Sequence, residues 1–276
     1  MRPLLLALDL DGTVLTEDCR APAGHVRAIR AIERMGVTVA IATGRSLLTT
    51  RPVWRELGLA TPVVCFNGAW VGGCDGVALA ALRLSERDVH AVIAELDGVD
   101  GALCFFPDPD SWLMDRELPL TQVWRDRGWA IEVDPTLRRT WRGESCKLMF
   151  IAEPDRVPAL VIRLREGLGP RFHIVVSQPD RFEIHYRGVT KAWGLERLAA
   201  HLGVPRADVW AVGDADNDRE MIQWAGHGCA MGHAPDGVLA LARHRLPGID
   251  ARGLCALVPL IEQAIHDHDR VRAAAR

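Results

Sequence analysis

Short apolar runs alternate with segments of helical pattern at the start of the chain. Leu4–Leu8 is continuously apolar, and Ala23–Met35 follows it with helical periodicity. Val37–Ala42 and Val63–Phe66 are the next apolar runs, again with a helical stretch between them. Strands that are buried on both faces have such uninterrupted apolar sequences, and this element order is typical of parallel sheets. The pattern therefore predicts a parallel sheet covered by helices.

The same alternation returns near the end of the chain. Lys191–Leu202 and Asp216–Trp224 have helical patterns on either side of the apolar run Val209–Val212. The middle of the chain instead contains alternating apolar and polar runs with two helical stretches among them. We therefore predict an α/β protein with a doubly wound, Rossmann-like parallel sheet at residues 1–74 and 189–276. An α+β domain is inserted at residues 75–188, with Gly72-Gly73 and Gly188 as hinges.

Paired carboxylates follow the first apolar run directly, in the segment Asp9-Leu10-Asp11-Gly12-Thr13. Open α/β sheets bind ligands at the carboxyl ends of their strands, where this segment lies. Two neighbouring acids repel each other unless a cation joins them, and Mg²⁺ prefers oxygen ligands. With the cation bound, one carboxylate can attack phosphorus while the other moves protons, and Thr13 can offer donors to phosphate. The alternative is a helix cap or an acidic turn.

Polar residues also follow the second and third predicted strands. Thr43, Gly44 and Arg45 come after the second strand, where a hydroxyl and free helix amides can hold an anion. Thr43 could equally be a simple N-cap. Asn67 follows the third strand, and Lys191 opens the helix after the inserted domain. A lysine there can neutralise phosphate charge or be a solvated surface residue.

A second acidic segment, Gly213-Asp214-Ala215-Asp216-Asn217-Asp218, follows the run Val209–Val212. Three carboxylates and one amide at a strand end suit a site for a hard cation. Acidic residues also favour helix N-termini, but that role explains one acid and not Asp214 together with Asp218.

Composition narrows the classes of function. The 276 residues are 49% hydrophobic and 25% charged, with a net charge of −3, which gives no general attraction to nucleic acid or to an anionic membrane. The apolar run at the N-terminus ends at Asp9 and is too short for a signal peptide or a membrane span. Seven scattered cysteines without a CxxC pair fit a reducing cytoplasm.

Taken together, the segments DLDGT, ATGR, FNGA, VTKAWGLERLAAHLG and GDADND resemble the haloacid dehalogenase-like superfamily, and within it the Cof-type phosphatases. The resemblance extends over almost the whole chain. It implies a Mg²⁺-dependent phosphatase that acts on a small phosphorylated metabolite through an aspartyl-phosphate intermediate. It also identifies the inserted domain as an α/β cap that closes over the sheet edge and sets specificity.

The resemblance assigns the acidic residues to catalysis and to the metal. It implies that Asp9 is the nucleophile and a Mg²⁺ ligand. Asp11 is the general acid and then the base, and gives the metal its backbone carbonyl. Asp214 binds Mg²⁺ directly, and Asn217 and Asp218 support the metal from nearby.

The remaining motifs are assigned to the phosphate. Thr43 and the amides of Gly44 and Arg45 are expected to hold the phosphoryl group. Lys191 stabilises the nucleophile and the charge of the phosphate, and Asn67 contacts phosphate or orients the substrate.

Two departures concern the neighbourhood of these motifs. Ala192 stands where family members often have glycine after the lysine, and His233 stands where many have asparagine. His233 is either a residue at the rim of the site or a bystander.

The substrate is open at this stage, with sugar phosphates as the default because they are the family's commonest targets. A nucleotide or cofactor phosphate is the alternative. Candidate specificity residues in the inserted domain are Trp112, Trp124, Trp129, Trp141, Arg116, Arg125 and Lys147. Each of them has core or surface packing as an equally simple role. The oligomeric state is not predicted.

Two other functions stay open. A phosphomutase shares the aspartyl-phosphate step but returns the phosphoryl group to the substrate. A non-catalytic phospho-ligand-binding module would be expected to lack Asp11 or Asp214, and both are present. A dinucleotide-dependent dehydrogenase is disfavoured because no GxGxxG segment follows the first strand.

Overall fold

The computed structural model describes residues 4–274 of the chain. The strands are Leu5–Leu8 (β1), Thr38–Ile41 (β2), Val63–Cys65 (β3), Trp70–Gly72 (β4), Ala78–Ala81 (β5), Ala102–Phe105 (β6), Leu113–Met114 (β7), Glu132–Val133 (β8), Leu148–Ile151 (β9), Phe172–Gln178 (β10), Arg181–Tyr186 (β11), Val209–Gly213 (β12), His227–Ala230 (β13) and His244–Arg245 (β14). The α-helices are Ala23–Arg34 (α1), Leu47–Leu57 (α2), Glu86–Glu95 (α3), Pro119–Asp126 (α4), Leu137–Thr140 (α5), Val157–Leu168 (α6), Lys191–His201 (α7), Arg219–Trp224 (α8), Asp236–Leu239 (α9) and Leu257–Ala274 (α10). None of these described helices is long and apolar enough to cross a membrane.

Strands from both ends of the chain form one parallel sheet in the order β14-β13-β12-β1-β2. β1 lies between β12 and β2, so Leu8 pairs with Val212 on one side and with Ile41 on the other. The predicted parallel sheet is therefore confirmed. Its topology brings the segments after β1, β2 and β12 to one edge, although residues 9 and 214 are far apart in sequence.

Helices cover both faces of this sheet. Leu6 and Leu8 belong to a hydrophobic cluster that includes residues of α1 and α10. Leu5 and Ala7 belong to a second cluster with residues of α7 and α8. Because successive side chains of a strand point to opposite faces, an uninterrupted apolar β1 is what two covered faces require. The doubly wound arrangement is thus confirmed.

The third predicted strand, Val63–Phe66, differs from the expectation. Only Val63–Cys65 is extended, and it pairs antiparallel with β4, while a single parallel bridge between Ala42 and Val64 connects it to the main sheet. The chain reverses immediately in a 3₁₀ turn at Phe66–Gly68, where all three residues have positive φ. This reversal turns the backbone away from the parallel sheet and into the hairpin.

Residues in the middle of the chain form a separate sheet in the order β10-β11-β9-β6-β7-β8, antiparallel except for the pair β7–β8. Leu148 and Phe150 of β9 pack with α3 and α6, whereas Met149 and Ile151 point to the opposite side and join the cluster that contains the tryptophans. The predicted α+β character is confirmed. The division at residue 74 stays a prediction, and β5 extends the β3-β4-β5 hairpin sheet to Ala81.

The helix predicted at Asp216–Trp224 begins later than expected, because a 3₁₀ turn at Asp216–Asp218 precedes α8. Another 3₁₀ turn at Gly253–Ala256 precedes α10. The first turn is closed by the Asp218 carboxylate, which accepts the backbone N–H of Ala215.

Close contact between the Phe66–Gly68 turn and α7 gives the first testable prediction. Gly68 has φ +102°, and a Cβ there would overlap the Thr190 carbonyl oxygen at the start of α7. We expect Gly68→Ala to lower the free energy of unfolding by more than about 2 kcal/mol, because backbone strain and overlap add. Gly203→Ala is the matched control, since Gly203 has φ +65° with no atom near its Cβ position, and only strain of about 1 kcal/mol applies. Urea denaturation measures both, and equal losses would contradict the contact.

Candidate active site

Segments that follow three adjacent strands converge at one edge of the parallel sheet. Asp9 follows β1, and its backbone N–H donates to the Val212 carbonyl at 3.0 Å, which continues the pairing with β12. Asp214 follows β12, and Thr43 follows β2. Asp9 and Thr43 are both buried. The parallel sheet thus fixes the backbone positions of these residues.

A buried acidic cluster occupies this edge. Asp9, Asp214 and Asp218 each have a carboxylate oxygen within 4.8 Å of the others. Lys191 lies against the cluster, with its Nζ atom 2.5 Å from Asp9 Oδ1 and 2.6 Å from Asp218 Oδ1. Four of the residues predicted from the sequence are therefore brought together.

The position of Lys191 follows from the start of α7. Thr190 caps the helix, and its hydroxyl oxygen accepts the N–H of Trp193 at 3.1 Å. Lys191 is fully buried, which by itself lowers the pKa of its ammonium, but the carboxylates of Asp218 and Asp9 outweigh burial and raise that pKa overall. Lys191 is thus a buried ammonium held by the carboxylates of the cluster, and not a solvated surface lysine.

Negative charge exceeds positive charge in the cluster, with three carboxylates around one ammonium. Burial raises the pKa of Asp9 well above its ordinary value, and the charges of Asp218 and Asp214 add to this effect although Lys191 opposes it. Burial also raises the pKa of Asp214. A divalent cation with a preference for carboxylate oxygen would relieve this repulsion, so the residues present fit Mg²⁺.

The three carboxylates differ in how their oxygens are occupied. Asp218 accepts Lys191 on Oδ1 and the N–H groups of Asp214 and Ala215 on Oδ2, both at 3.0 Å. With protein donors on both oxygens, Asp218 suits the role of holding the loop and the lysine. Asp9 and Asp214 suit direct contact with a cation better, because the hydrogen bonds of each to a neighbouring side chain involve one oxygen.

Thr13 lies differently from the sequence expectation. Its hydroxyl donates to Asp214 Oδ1 at 2.8 Å, so it orients an acidic side chain and is not directed to phosphate. The close approach of Asp214 to this turn depends on Gly12, which has φ +82° and where a Cβ would overlap the Asp214 carboxylate. The DxDGT segment and the GDADND segment are therefore interlocked.

Thr43 and Asn67 are connected through the backbone and not through their side chains. The hydroxyl oxygen of Thr43 accepts the N–H of Arg45 at 3.2 Å, and the Thr43 carbonyl accepts the N–H of Asn67 at 3.0 Å. The side chain of Asn67 accepts the amide of Asn217 at 2.9 Å. Residues after β2, β3 and β12 thus form one continuous surface around the acidic cluster.

The side chain of Asp11 lies outside the acidic cluster. It is exposed and forms a two-point ion pair with Arg45, in which the Arg45 Nε atom lies 2.8 Å from Asp11 Oδ2. A carboxylate at this edge of the site can reach a leaving group that enters from the cavity.

His233 lies beside the cluster. Its Nε2 atom is 3.6 Å from Asp214 Oδ2, and its Nδ1 atom accepts the N–H of Ile249 at 3.4 Å. The structure therefore places His233 at the rim, next to a candidate metal ligand.

A cavity of about 940 Å³ lies between the acidic cluster and the inserted domain. The side nearest the cluster contains residues of the motifs, namely Asp9, Asp11, Gly12, Gly44, Arg45, Asn67 and Asn217. The opposite side is formed by residues from the middle of the chain, with Phe106, Trp112, Trp124, Arg127, Trp129, Lys147, Arg181 and Glu183. A ligand of metabolite size would contact both sides.

Three of the four candidate tryptophans form an aromatic wall in this cavity. The ring centroid of Trp112 lies 4.6 Å from that of Trp124 and 5.8 Å from that of Trp129. Trp141 instead stacks on Phe105, 4.5 Å between centroids, in the core behind the sheet.

Of the candidate basic residues, Lys147 lines the cavity and the two arginines are paired elsewhere. Arg116 pairs with Asp100, and Arg125 pairs with Glu117 at 2.6 Å. Sequence reasoning missed Arg127, Arg181 and Glu183. Glu183 carried little signal in the sequence, because it stands at a polar position of the alternating run Phe182–Tyr186, and the structure shows that this position is buried.

Comparisons with known proteins identify the family. The model of the haloacid dehalogenase-like hydrolase family matches residues 6–256. The HMP-PP phosphatase of Cronobacter sakazakii is 32% identical over 265 residues, which cover 95% of each chain. That of Yersinia enterocolitica is 29% identical over 91% of this chain and 90% of the relative.

Solved structures share the fold. A haloacid dehalogenase-like hydrolase from Bacteroides thetaiotaomicron has a TM-score of 0.83 at 22% identity, covering 94% of this chain and 100% of that one. A hypothetical protein from Geobacillus kaustophilus has a TM-score of 0.79 at 26% identity, covering 94% and 99%. The sequence motifs, their convergence at the sheet edge and these matches lead to one conclusion: the chain belongs to the haloacid dehalogenase-like hydrolase family, as a phosphatase of the Cof type.

Proposed function

We propose that this phosphatase uses Mg²⁺ and hydrolyses a small phosphorylated metabolite by way of a phosphorylated Asp9. The observation that carries the proposal is the buried contact of Lys191 with Asp9 and Asp218, with Asp214 beside them and the cavity above. A carboxylate that is fixed in place, paired with an ammonium and next to a cation site is suited to attack phosphorus.

The reaction has two balanced steps. An oxygen of Asp9 bonds to phosphorus while the bond from phosphorus to the leaving-group oxygen breaks, and Asp11 gives that oxygen a proton. Water then attacks the phosphorus of phospho-Asp9, Asp11 takes the proton, and phosphate leaves with the Asp9 carboxylate restored. Lys191 stays charged throughout and keeps Asp9 oriented.

Mg²⁺ would be held by Asp9 and Asp214, with Asp218 and Asn217 supporting the loop, and when bound it neutralises charge on the phosphoryl oxygens. Thr43 and the amides of Gly44 and Arg45 would bind the phosphoryl group from the side of β2. Arg45 also lines the cavity, and because its Nε and Nη2 atoms pair with Asp11, an anion there would meet the remaining N–H groups of the guanidinium.

HMP-PP is the first substrate to test, because relatives of 29–32% identity are named HMP-PP phosphatases. The aromatic wall of Trp112, Trp124 and Trp129 supports a leaving group with a flat or apolar surface, since such surfaces stack on indole rings. Sugar phosphates, the default from the sequence, are the second class. We also propose that residues 75–188 act as the cap that selects among them, and that the protein works in the cytoplasm.

Release of free phosphate tests this function. Wild-type protein with Mg²⁺ is expected to release inorganic phosphate from HMP-PP or from a member of a panel of sugar and nucleotide phosphates, ranked by kcat/KM. Isomerised substrate without free phosphate would indicate a phosphomutase. No turnover of any ester would indicate a phospho-ligand-binding module.

Asp9→Asn gives the sharpest prediction. An amide cannot attack phosphorus as a carboxylate does, so kcat is expected to fall at least about 10³-fold, while Lys191 keeps its pairing with Asp218 and the fold is retained. Asp97→Asn is the matched control, because Asp97 is an exposed acid after α3 and does not line the cavity. It should keep activity within about threefold of wild type. Wild-type rates in the Asp9 variant would refute the nucleophile assignment.

Metal binding can be measured without turnover. At a hundred times its Kd, Mg²⁺ is expected to stabilise the wild-type protein by about 2.7 kcal/mol, which is visible as a rise in melting temperature. Asp214→Asn should abolish that rise. The metal-free variant should still fold, because one of three crowded carboxylates has been neutralised. Asp97→Asn, at an exposed acid that does not line the cavity, should keep the rise, and an unchanged rise in Asp214→Asn would exclude Asp214 as a ligand.

A further inference from the structure

Lys147 is a buried lysine of the inserted domain that lies against the candidate active site. It precedes β9 directly, and only 4% of its surface is exposed although it lines the cavity. Its Nζ atom donates to Glu183 Oε1 at 2.6 Å and to the carbonyl of Gly44 at 3.4 Å. The ammonium lies 5.5 Å from the ring centre of Phe66 and 5.1 Å from that of Phe106. A cap cation therefore reaches the loop expected to hold the phosphoryl group.

Glu183 keeps this ammonium in place as a charged partner. Burial raises the pKa of Glu183, but the charge of Lys147 and a hydrogen bond from His185 outweigh burial and hold that pKa at about 2. His185 Nε2 lies 3.2 Å from the second carboxylate oxygen. The position of the Lys147 ammonium is thus fixed by a chain of buried polar groups.

A contribution to folding stability does not by itself explain why the Lys147–Glu183 ion pair is buried. Removing two charges from water costs free energy, and apolar residues of similar size are often as good or better in a buried position. The pair lies at the wall of a cavity, between the inserted domain and the parallel-sheet domain. This location favours a role in binding the ligand that occupies the cavity.

An ammonium has three N–H donors. In Lys147 the carboxylate of Glu183 and the carbonyl of Gly44 take two of them. Among the described residues, no third oxygen or nitrogen lies within hydrogen-bond distance of Nζ, and the rings of Phe66 and Phe106 lie beside it. An acceptor in the cavity can therefore take the third N–H. Lys147 lines the same side of the cavity as the aromatic wall, so we assign that acceptor to the leaving group and not to the phosphoryl group.

We propose that Lys147 is a specificity-determining residue whose ammonium donates to an acceptor atom on the leaving group, and that Glu183 is a positioning residue that holds it. The proposal rests on the proposed phosphatase function. The preferred substrates then carry an oxygen or nitrogen acceptor beyond the scissile oxygen, such as a hydroxyl, a ring nitrogen or a second phosphate.

Comparison of two kinds of leaving group tests this role. Phenyl phosphate has no acceptor beyond the scissile oxygen, so it is the reference substrate, and the test substrates are the best metabolites of the panel, including HMP-PP. In Lys147→Met, kcat/KM for the metabolites is expected to fall at least about tenfold, the loss typical of one charged hydrogen bond. For phenyl phosphate it should fall less than about threefold. Equal losses, or no loss for the metabolites, would overturn the proposal.

A double variant separates binding from folding. Lys147→Met leaves Glu183 as an unpaired buried charge and is expected to lower the melting temperature. Lys147→Met/Glu183→Gln removes that charge, so the melting temperature should recover while the preference for metabolites stays lost. Recovery of the preference along with stability would show that Lys147 acts only through the fold.

Glu183→Gln tests the positioning role. The ammonium remains but is less firmly held, so KM for metabolites should rise with kcat changed less, and phenyl phosphate kinetics should stay within about threefold. A loss of kcat for both kinds of substrate would contradict the role. Wild-type protein that hydrolyses no ester would instead refute the proposed function, so the two failures are distinguishable.

Discussion

One buried ammonium organises the site. Lys191 contacts Asp9 Oδ1 and Asp218 Oδ1, and so joins the segments after β1 and β12 through the first residue of α7. Without that charge, three carboxylates within 4.8 Å would repel one another in a place shielded from water. The lysine offsets part of this repulsion and leaves an excess of negative charge. The proposed Mg²⁺ would supply the rest of the neutralisation.

The rest of the molecule positions this interaction. The parallel sheet sets the backbone of Asp9 beside β12, and Gly12 lets the Asp214 carboxylate approach the first turn closely. Asp218 holds its own loop while accepting Lys191. Residues from the middle of the chain add the other half of the cavity, with an aromatic wall and the Lys147–Glu183 pair. The proposed chemistry is thus concentrated at the sheet edge, and selectivity is proposed for the residues opposite.

The fold class and the convergence of the motifs were predictable because parallel strands place their following residues at a common edge. Buried apolar β1 and the acids at positions 9 and 214 carried that signal. Local geometry was not predictable, since the reversal at Phe66–Gly68 and the turn of the Thr13 hydroxyl toward Asp214 depend on tertiary contacts. The sequence also could not distinguish Trp112, Trp124 and Trp129, which line the cavity, from Trp141, which packs in the core. A tryptophan side chain suits either place.

Covalent transfer to Asp9 is the central claim, and mass spectrometry of the enzyme during turnover tests it most directly. The protein would be mixed with Mg²⁺ and its best phosphate ester, quenched in acid within the first turnover and digested. The account predicts that the mass of one phosphoryl group is added to Asp9, and that this adduct decays as free phosphate appears. An unmodified Asp9 with phosphate released at the full rate, or a phosphoryl group on another residue, would contradict it.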